Sequence, residues 1–237
     1  MGDTRKADHD RNAEGTPAGK EFSGVTPRRL VQFMLVAGGI AVLFFVALSV
    51  RFNFRAKEAF LEGEEAYGKG DAETAMSRYD EAFRNYSLFN TWVDRSGERM
   101  VEIAEGYKDA GNLDKADEAY STFVSAVAAI DTGFLAYRKA QSAAREARVE
   151  IAGSYEEAGE PWKAYVIYKS LLDFPAVYDR CMEGIKRVAE ACEKAELWRR
   201  ALRAYRVLAT DPRYHDLAQP KIEKLRNIYP LPVRTSP

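Results

Sequence analysis

Residues 63–83 read GEEAYGKGDAETAMSRYDEAF, and the placement of small residues in this stretch decides the fold. Gly63, Gly70, Ala75 and Ala82 punctuate a run otherwise rich in helix formers, with Tyr79 between the last two. The pattern returns three times. MVEIAEGYKDAGNLDKADEAYSTF (100–123) places Ala104, Gly111, Ala116, Tyr120 and Phe123 at the offsets of Gly63, Gly70, Ala75, Tyr79 and Ala82. VEIAGSYEEAGEPWKAYVIYKSLL (149–172) repeats it with Ala152, Gly159, Ala164, Tyr168 and Leu171. IKRVAEACEKAELWRRALRAYRVL (185–208) follows with Ala189, Ala201, Tyr205 and Leu208, and only the turn glycine fails, replaced by Glu196.

Physical chemistry reads each copy as a helix–turn–helix. Gly70, Gly111 and Gly159 suit the left-handed residue that ends a helix. Asp71 and Asn112 then cap the next helix, and Pro161 takes the first helical turn in the third copy. The small residues two turns before the break (Gly63, Ala104, Ala152, Ala189) face those just after it (Ala75, Ala116, Ala164, Ala201). Two antiparallel helices can then approach closely, with a tyrosine filling the next layer. A glycine at 63 weakens its helix by up to about 1 kcal/mol, which close packing offsets.

This set of small residue, turn, alanine and tyrosine resembles the tetratricopeptide repeat (TPR) family over roughly residues 56–212. The resemblance implies an all-α, TPR-like α-solenoid of about four helix–turn–helix units over 51–212, closed by a capping helix over 213–229 that Pro220 kinks or interrupts. Successive turns lie 41, 48 and 37 residues apart rather than at the family's regular period. The surplus falls at 86–96 and 128–144, where longer helices or loops are expected.

N-terminal to the repeats the composition changes twice. Residues 1–29 hold six Lys/Arg and five Asp/Glu with almost no large apolar residue, a composition read as a disordered tail, as are residues 230–237. Residues 30–50, LVQFMLVAGGIAVLFFVALSV, contain no charge and are long enough to span a bilayer as a helix. A cleaved secretory signal is the competing reading, because Ala47-Leu48-Ser49 has the small-x-small form of a cleavage site, but the apolar run is longer than such signals use. A buried soluble helix is a third reading, opposed by the uniformity of the run. The permanent anchor is preferred. Four basic residues flank each side within 20 positions, so charge leaves the orientation open. The adjacent Arg28-Arg29 favours a cytoplasmic N-terminus and a repeat domain on the other side, whereas two unpaired cysteines favour the reverse.

The whole chain of 237 residues carries 35 Lys+Arg and 36 Asp+Glu, so no global basic footprint points to nucleic acid. His9 and His215 suggest no catalytic constellation, and AGGI (37–40) lies inside the apolar run, away from any phosphate-loop context. Cys181 and Cys192 lie about 16 Å apart along one helix, too far for a disulfide, and no further ligands accompany them. The reading is a non-enzyme with no cofactor or metal. Trp162 and Trp198 open second helices, as packing residues or partner-facing anchors.

What the resemblance implies for function is a groove lined by first helices. By register, the first unit would present Phe60, Glu64 and Tyr67, and the second Val101, Glu105, Lys108 and Asp109. The third would add Glu146, Val149, Glu156 and Glu157, and the fourth Lys186, Glu190, Glu193 and Lys194. These are mostly acidic with apolar spots, which favours a basic or amphipathic protein segment as partner, against the plain alternative of a solvated helix face. The Lys/Asn clamp with which some TPR proteins hold a C-terminal carboxylate is absent: Phe60, Glu64, Val101, Glu105, Val149 and Gly153 stand in its place. A membrane-tethered scaffold or adaptor is the resulting expectation. In layout it is similar to translocon-associated TPR proteins of the Gram-negative inner membrane, with a periplasmic repeat domain. The alternatives are a structural subunit of an envelope machine (flagellar motor, pilus or secretion system) and a self-assembling homo-oligomer, for which Ala37 and Ala41 form a weak small-residue helix face.

Overall fold

The computed structural model describes residues 27–85, 90–130 and 135–228. Residues 1–26 of the expected N-terminal tail (1–29), the expected C-terminal tail (230–237) with residue 229 before it, and parts of the two surplus segments lie outside the described residues. The described chain is all-helical. Its elements are α1 (Pro27–Gly68), α2 (Ala72–Arg84), α3 (Thr91–Asp109), α4 (Leu113–Ile130), α5 (Leu135–Glu157), α6 (Pro161–Ser170), α7 (Pro175–Lys194), α8 (Trp198–Leu208) and α9 (Pro212–Ile228).

Contacts divide the chain after Val46. Up to that point the described part is the apolar beginning of α1, whose side chains, Phe33 and Leu43 among them, stand exposed. It is long and apolar enough to cross a membrane, and a signal sequence would look the same by this measure.

From Ala47 onward the chain forms a second unit with one continuous core. Each helix from α2 to α9 packs on its sequence neighbours, and α2 also meets α4, as α5 meets α7. Ala75, Ala104, Ala116, Ala152, Ala164, Ala189 and Ala201 are all fully buried. The tyrosines of the repeat, Tyr79, Tyr120, Tyr168 and Tyr205, are buried beside them. The close approach at Gly63 is to a ring: a β-carbon there would stand 2.6 Å from Cε1 of Tyr79. A second such approach escapes the repeat frame. At Gly184, in the middle of α7, a β-carbon would lie 2.3 Å from Cε2 of Tyr168.

All four turns share one backbone design. Asp71, Asn112, Glu160 and Leu197 each donate their N–H to the carbonyl five residues earlier, on Ala66, Tyr107, Tyr155 and Cys192. Gly70, Gly111, Gly159 and Glu196 donate three residues back, completing the Schellman pattern. The glycines have φ of 79°, 73° and 76°, and Glu196 has φ 58°. The fourth turn therefore forms without its glycine, and Glu196 carries the left-handed strain. The Asp71 carboxylate accepts from the Thr74 N–H at 3.0 Å, the capping role its position suggests.

Pro220 neither interrupts nor ends α9, which is helical across it. The carbonyl that loses its donor belongs to Asp216, which is exposed to solvent, where a missing intrahelical bond costs little. Cys181 and Cys192 are buried and unbonded, and burial pushes the Cys181 thiol up to about 11.

Candidate functional site

Three of the four repeat tyrosines are tied into one recurring arrangement. Tyr79 of α2 donates its hydroxyl to Glu64 of α1 at 2.6 Å, and Arg99 of α3 grips the same carboxylate with Nε at 2.9 Å and Nη2 at 3.0 Å. Tyr168 of α6 donates to Glu156 of α5 at 2.6 Å, and Arg187 of α7 grips it with Nε and Nη2, both at 2.9 Å. Tyr205 of α8 donates to Glu193 of α7 at 2.8 Å, and Lys221 of α9 donates to it at 2.8 Å. Each carboxylate thus joins a first helix, a second helix and the first helix of the next unit, or α9 in the last case. Two of the cations bind as bidentate forks, the stronger geometry.

Electrostatics follow the geometry. Burial raises the phenol of Tyr79, as it does those of Tyr168 and Tyr205, and the accepting carboxylate adds to the effect. Glu193 is held below its ordinary value, first by the Lys221 hydrogen bond. At Glu64 burial opposes ionisation, yet the bonds from Tyr79 and Arg99 outweigh it and the net shift is downward.

The layer formed by α3, α4 and α5 breaks the rule. Tyr120 is buried, and burial together with the Glu105, Glu150 and Asp109 carboxylates pushes its phenol up to about 12. Among the described residues no cation bonds Glu105 or Tyr120. The reason is readable in register. Arg99 stands five residues before Ala104, and the matching place before Ala152 is Ala147. Arg187 stands two before Ala189, and there the third unit has Glu150. Lys108 pairs with Glu150 at 2.5 Å instead.

Beside this incomplete layer a groove of about 620 Å³ opens between α3 and α5. Gly97, Val101, Phe123 and Ala140 give it an apolar floor, and Asp94, Glu98, Glu102 and Glu105 an acidic wall. Asp94 accepts the Tyr137 hydroxyl, and Glu102 pairs with Arg99 at 2.6 Å. Exposed Glu98 and Glu105 have no hydrogen-bond or ion-pair partner among the described residues. A second groove, of about 390 Å³ between α5 and α7, is mixed in sign, with Glu150, Asp179 and Glu183 facing Arg180 and Arg187.

The groove candidates read from sequence are therefore divided. Val101 and Glu105 meet in the first groove, and Val149 lines the second from the buried side. Phe60 is in the core against Tyr79 and Trp92. Tyr67 is half-buried under the Arg99 guanidinium. Glu64, Glu156 and Glu193 are occupied by their tyrosines and cations, Glu146 pairs with Arg180, and Lys186 approaches Glu183 at 3.8 Å. Asp109, Glu157, Glu190 and Lys194 are exposed outside both grooves. Sequence reasoning missed the cations Arg99, Arg187 and Lys221. It had one usable signal for the rest: Glu156–Tyr168 and Glu193–Tyr205 share a spacing of 12.

Among the described residues no group of three or more His, Cys, Asp or Glu side chains is placed to hold a metal ion. In comparison with known proteins, the chain matches no protein-family model and no curated sequence.

Proposed function

We propose that this chain is a membrane-anchored, TPR-like scaffold whose α3–α5 groove takes a basic or amphipathic segment of a partner protein. The observation that carries the reading is the incomplete layer. Three layers satisfy a tyrosine–carboxylate pair with a cation from the chain itself, while Glu105 and the buried Tyr120 have none, and Glu105 lines a groove with an apolar floor. A lysine or arginine brought by a partner supplies what Arg99, Arg187 and Lys221 supply elsewhere. Val101, Phe123 and Ala140 receive the apolar residues beside it. The span at residues 30–50 serves as the anchor, so the bound partner is held at the membrane. The role is that of a binding module, with no reaction of its own.

The test is to supply the cation internally. Ala147→Arg places a guanidinium at the register of Arg99, where it can reach Glu105. Binding of a fluorescein-labelled Lys/Leu amphipathic peptide to the purified full-length protein is followed by anisotropy. Affinity is expected to fall on the order of tenfold in Ala147→Arg and further in Glu98→Lys/Glu105→Lys, with far-UV circular dichroism confirming that both variants stay folded. Unchanged affinity in both variants refutes the reading.

A further inference from the structure

The second helices of the later units carry an unbalanced charge. α6 and α8 hold Lys163, Lys169, Arg199, Arg200, Arg203 and Arg206 and no Asp or Glu. Some of this is used internally: Lys163 pairs with Asp114 and Glu160, and Arg200 lies over the Trp162 ring at 5.3 Å. Exposed Lys169, Arg203 and Arg206 have no carboxylate partner among the described residues. Apolar surface accompanies them, with Val166 56% and Leu197 40% exposed.

The spacing of this surface matches the groove. Arg199, Arg203 and Arg206 follow one another at four and three residues along α8. Glu98, Glu102 and Glu105 do the same along α3. Both stripes are therefore about 10 Å long with charges at equal intervals. We propose that the α3–α5 groove receives the α8 face of a second copy of this chain, with Arg206 set against the unpartnered Glu105 and Arg203 against Glu102, which it shares with Arg99. This rests on the groove reading above and names its partner. One surface is acidic with an apolar floor, the other basic with apolar neighbours, and the whole chain is nearly neutral at −1, a balance that permits self-association. Groove and ridge are different patches, so the contact is heterologous: in a pair one copy keeps a free α8 face and the other a free groove, and longer assemblies or closed rings follow. A membrane span confines the copies to a plane and raises their encounter frequency.

The experiment is a charge swap in full-length protein reconstituted in detergent micelles, with mass read by sedimentation. Wild type is expected to associate, and to dissociate as salt is raised. Glu102→Arg/Glu105→Arg and Arg203→Glu/Arg206→Glu are each expected to weaken self-association on the order of 100-fold. Mixed together, the two variants regain both matched contacts, the wild-type one and its charge-reversed counterpart, and assemble in alternation as the wild type does alone. Association that survives either variant alone, or two variants that remain monomeric when mixed, overturns the proposal. The Lys/Leu peptide separates this failure from that of the groove reading. Peptide binding lost in Glu102→Arg/Glu105→Arg, with wild type monomeric, leaves the groove intact and removes the second copy as its occupant. Peptide binding unchanged in that variant removes the groove as well.

Discussion

Gly184→Ala is expected to destabilise the protein although it adds helix propensity. In a helix interior this change ordinarily gains up to about 1 kcal/mol. At position 184 the new β-carbon would stand 2.3 Å from Cε2 and 2.4 Å from Cζ of Tyr168. That ring is 1% exposed and its hydroxyl is bonded to Glu156, so it has no free direction in which to retreat. Overpacking of this kind costs about 1–3 kcal/mol. Displacing the ring also stretches a hydrogen bond to a charged group, worth about 1.5–3 kcal/mol. After the propensity gain the net loss is about 3 kcal/mol, or a fall in Tm on the order of 10 °C for a domain of this size. The assay is thermal and urea unfolding of the full-length protein in mild detergent, followed by far-UV circular dichroism. Gly106→Ala and Gly153→Ala are the controls, because a β-carbon at either meets nothing within 4 Å. Both should stabilise by up to about 1 kcal/mol. A Gly184→Ala protein as stable as these controls refutes the packing argument.

Three further outcomes are expected. Glu196→Gly should stabilise by about 1 kcal/mol, since Glu196 holds φ 58° where glycine is free of strain; a lower urea midpoint would contradict the turn geometry. Glu64 and Glu193 have lowered folded pKa values, so they bind fewer protons folded than unfolded and their stabilisation is present above about pH 4.3. It is lost as pH falls through the lower folded values, so the urea midpoint should drop between pH 5 and pH 3, and Glu193→Gln should flatten that slope. Cys181 and Cys192 are buried with raised pKa values, so neither should react with a thiol reagent at pH 8 until urea unfolds the chain. Labelling of the folded protein would show that α7 is not packed as described.

Much of the helical frame was legible because packing imposes a period. Ala75, Ala116, Ala164 and Ala201 recur with Tyr79, Tyr120, Tyr168 and Tyr205 since each meets the same demand for a small and then a large buried group. Gly184 was hidden because it answers to Tyr168 of the preceding helix rather than to its own repeat frame. The turn at Glu196 was obscured because a non-glycine residue can hold a positive φ when the surrounding hydrogen bonds demand it. The candidate site was less readable. Arg99 and Arg187 reach their carboxylates from different registers, five and two residues before the small residue, so no fixed offset announces them. Sequence register therefore placed Glu64, Glu156 and Glu193 on the same footing as Glu105. Only the hydrogen bonds show that the first three are already engaged.

The most direct measurement is photo-cross-linking from the groove itself in native membranes. A photoreactive phenylalanine analogue at Val101, on the groove floor, is compared with one at Thr74, an exposed position of α2 outside this groove. A partner segment seated in the groove gives one discrete cross-linked product from position 101 and none from 74. Adding Glu98→Lys and Glu105→Lys removes it, and mass spectrometry places the cross-link beside a lysine or arginine of the partner. Equal products from both positions, or a product from 101 indifferent to the two charge reversals, would contradict the assignment of this groove as the binding site.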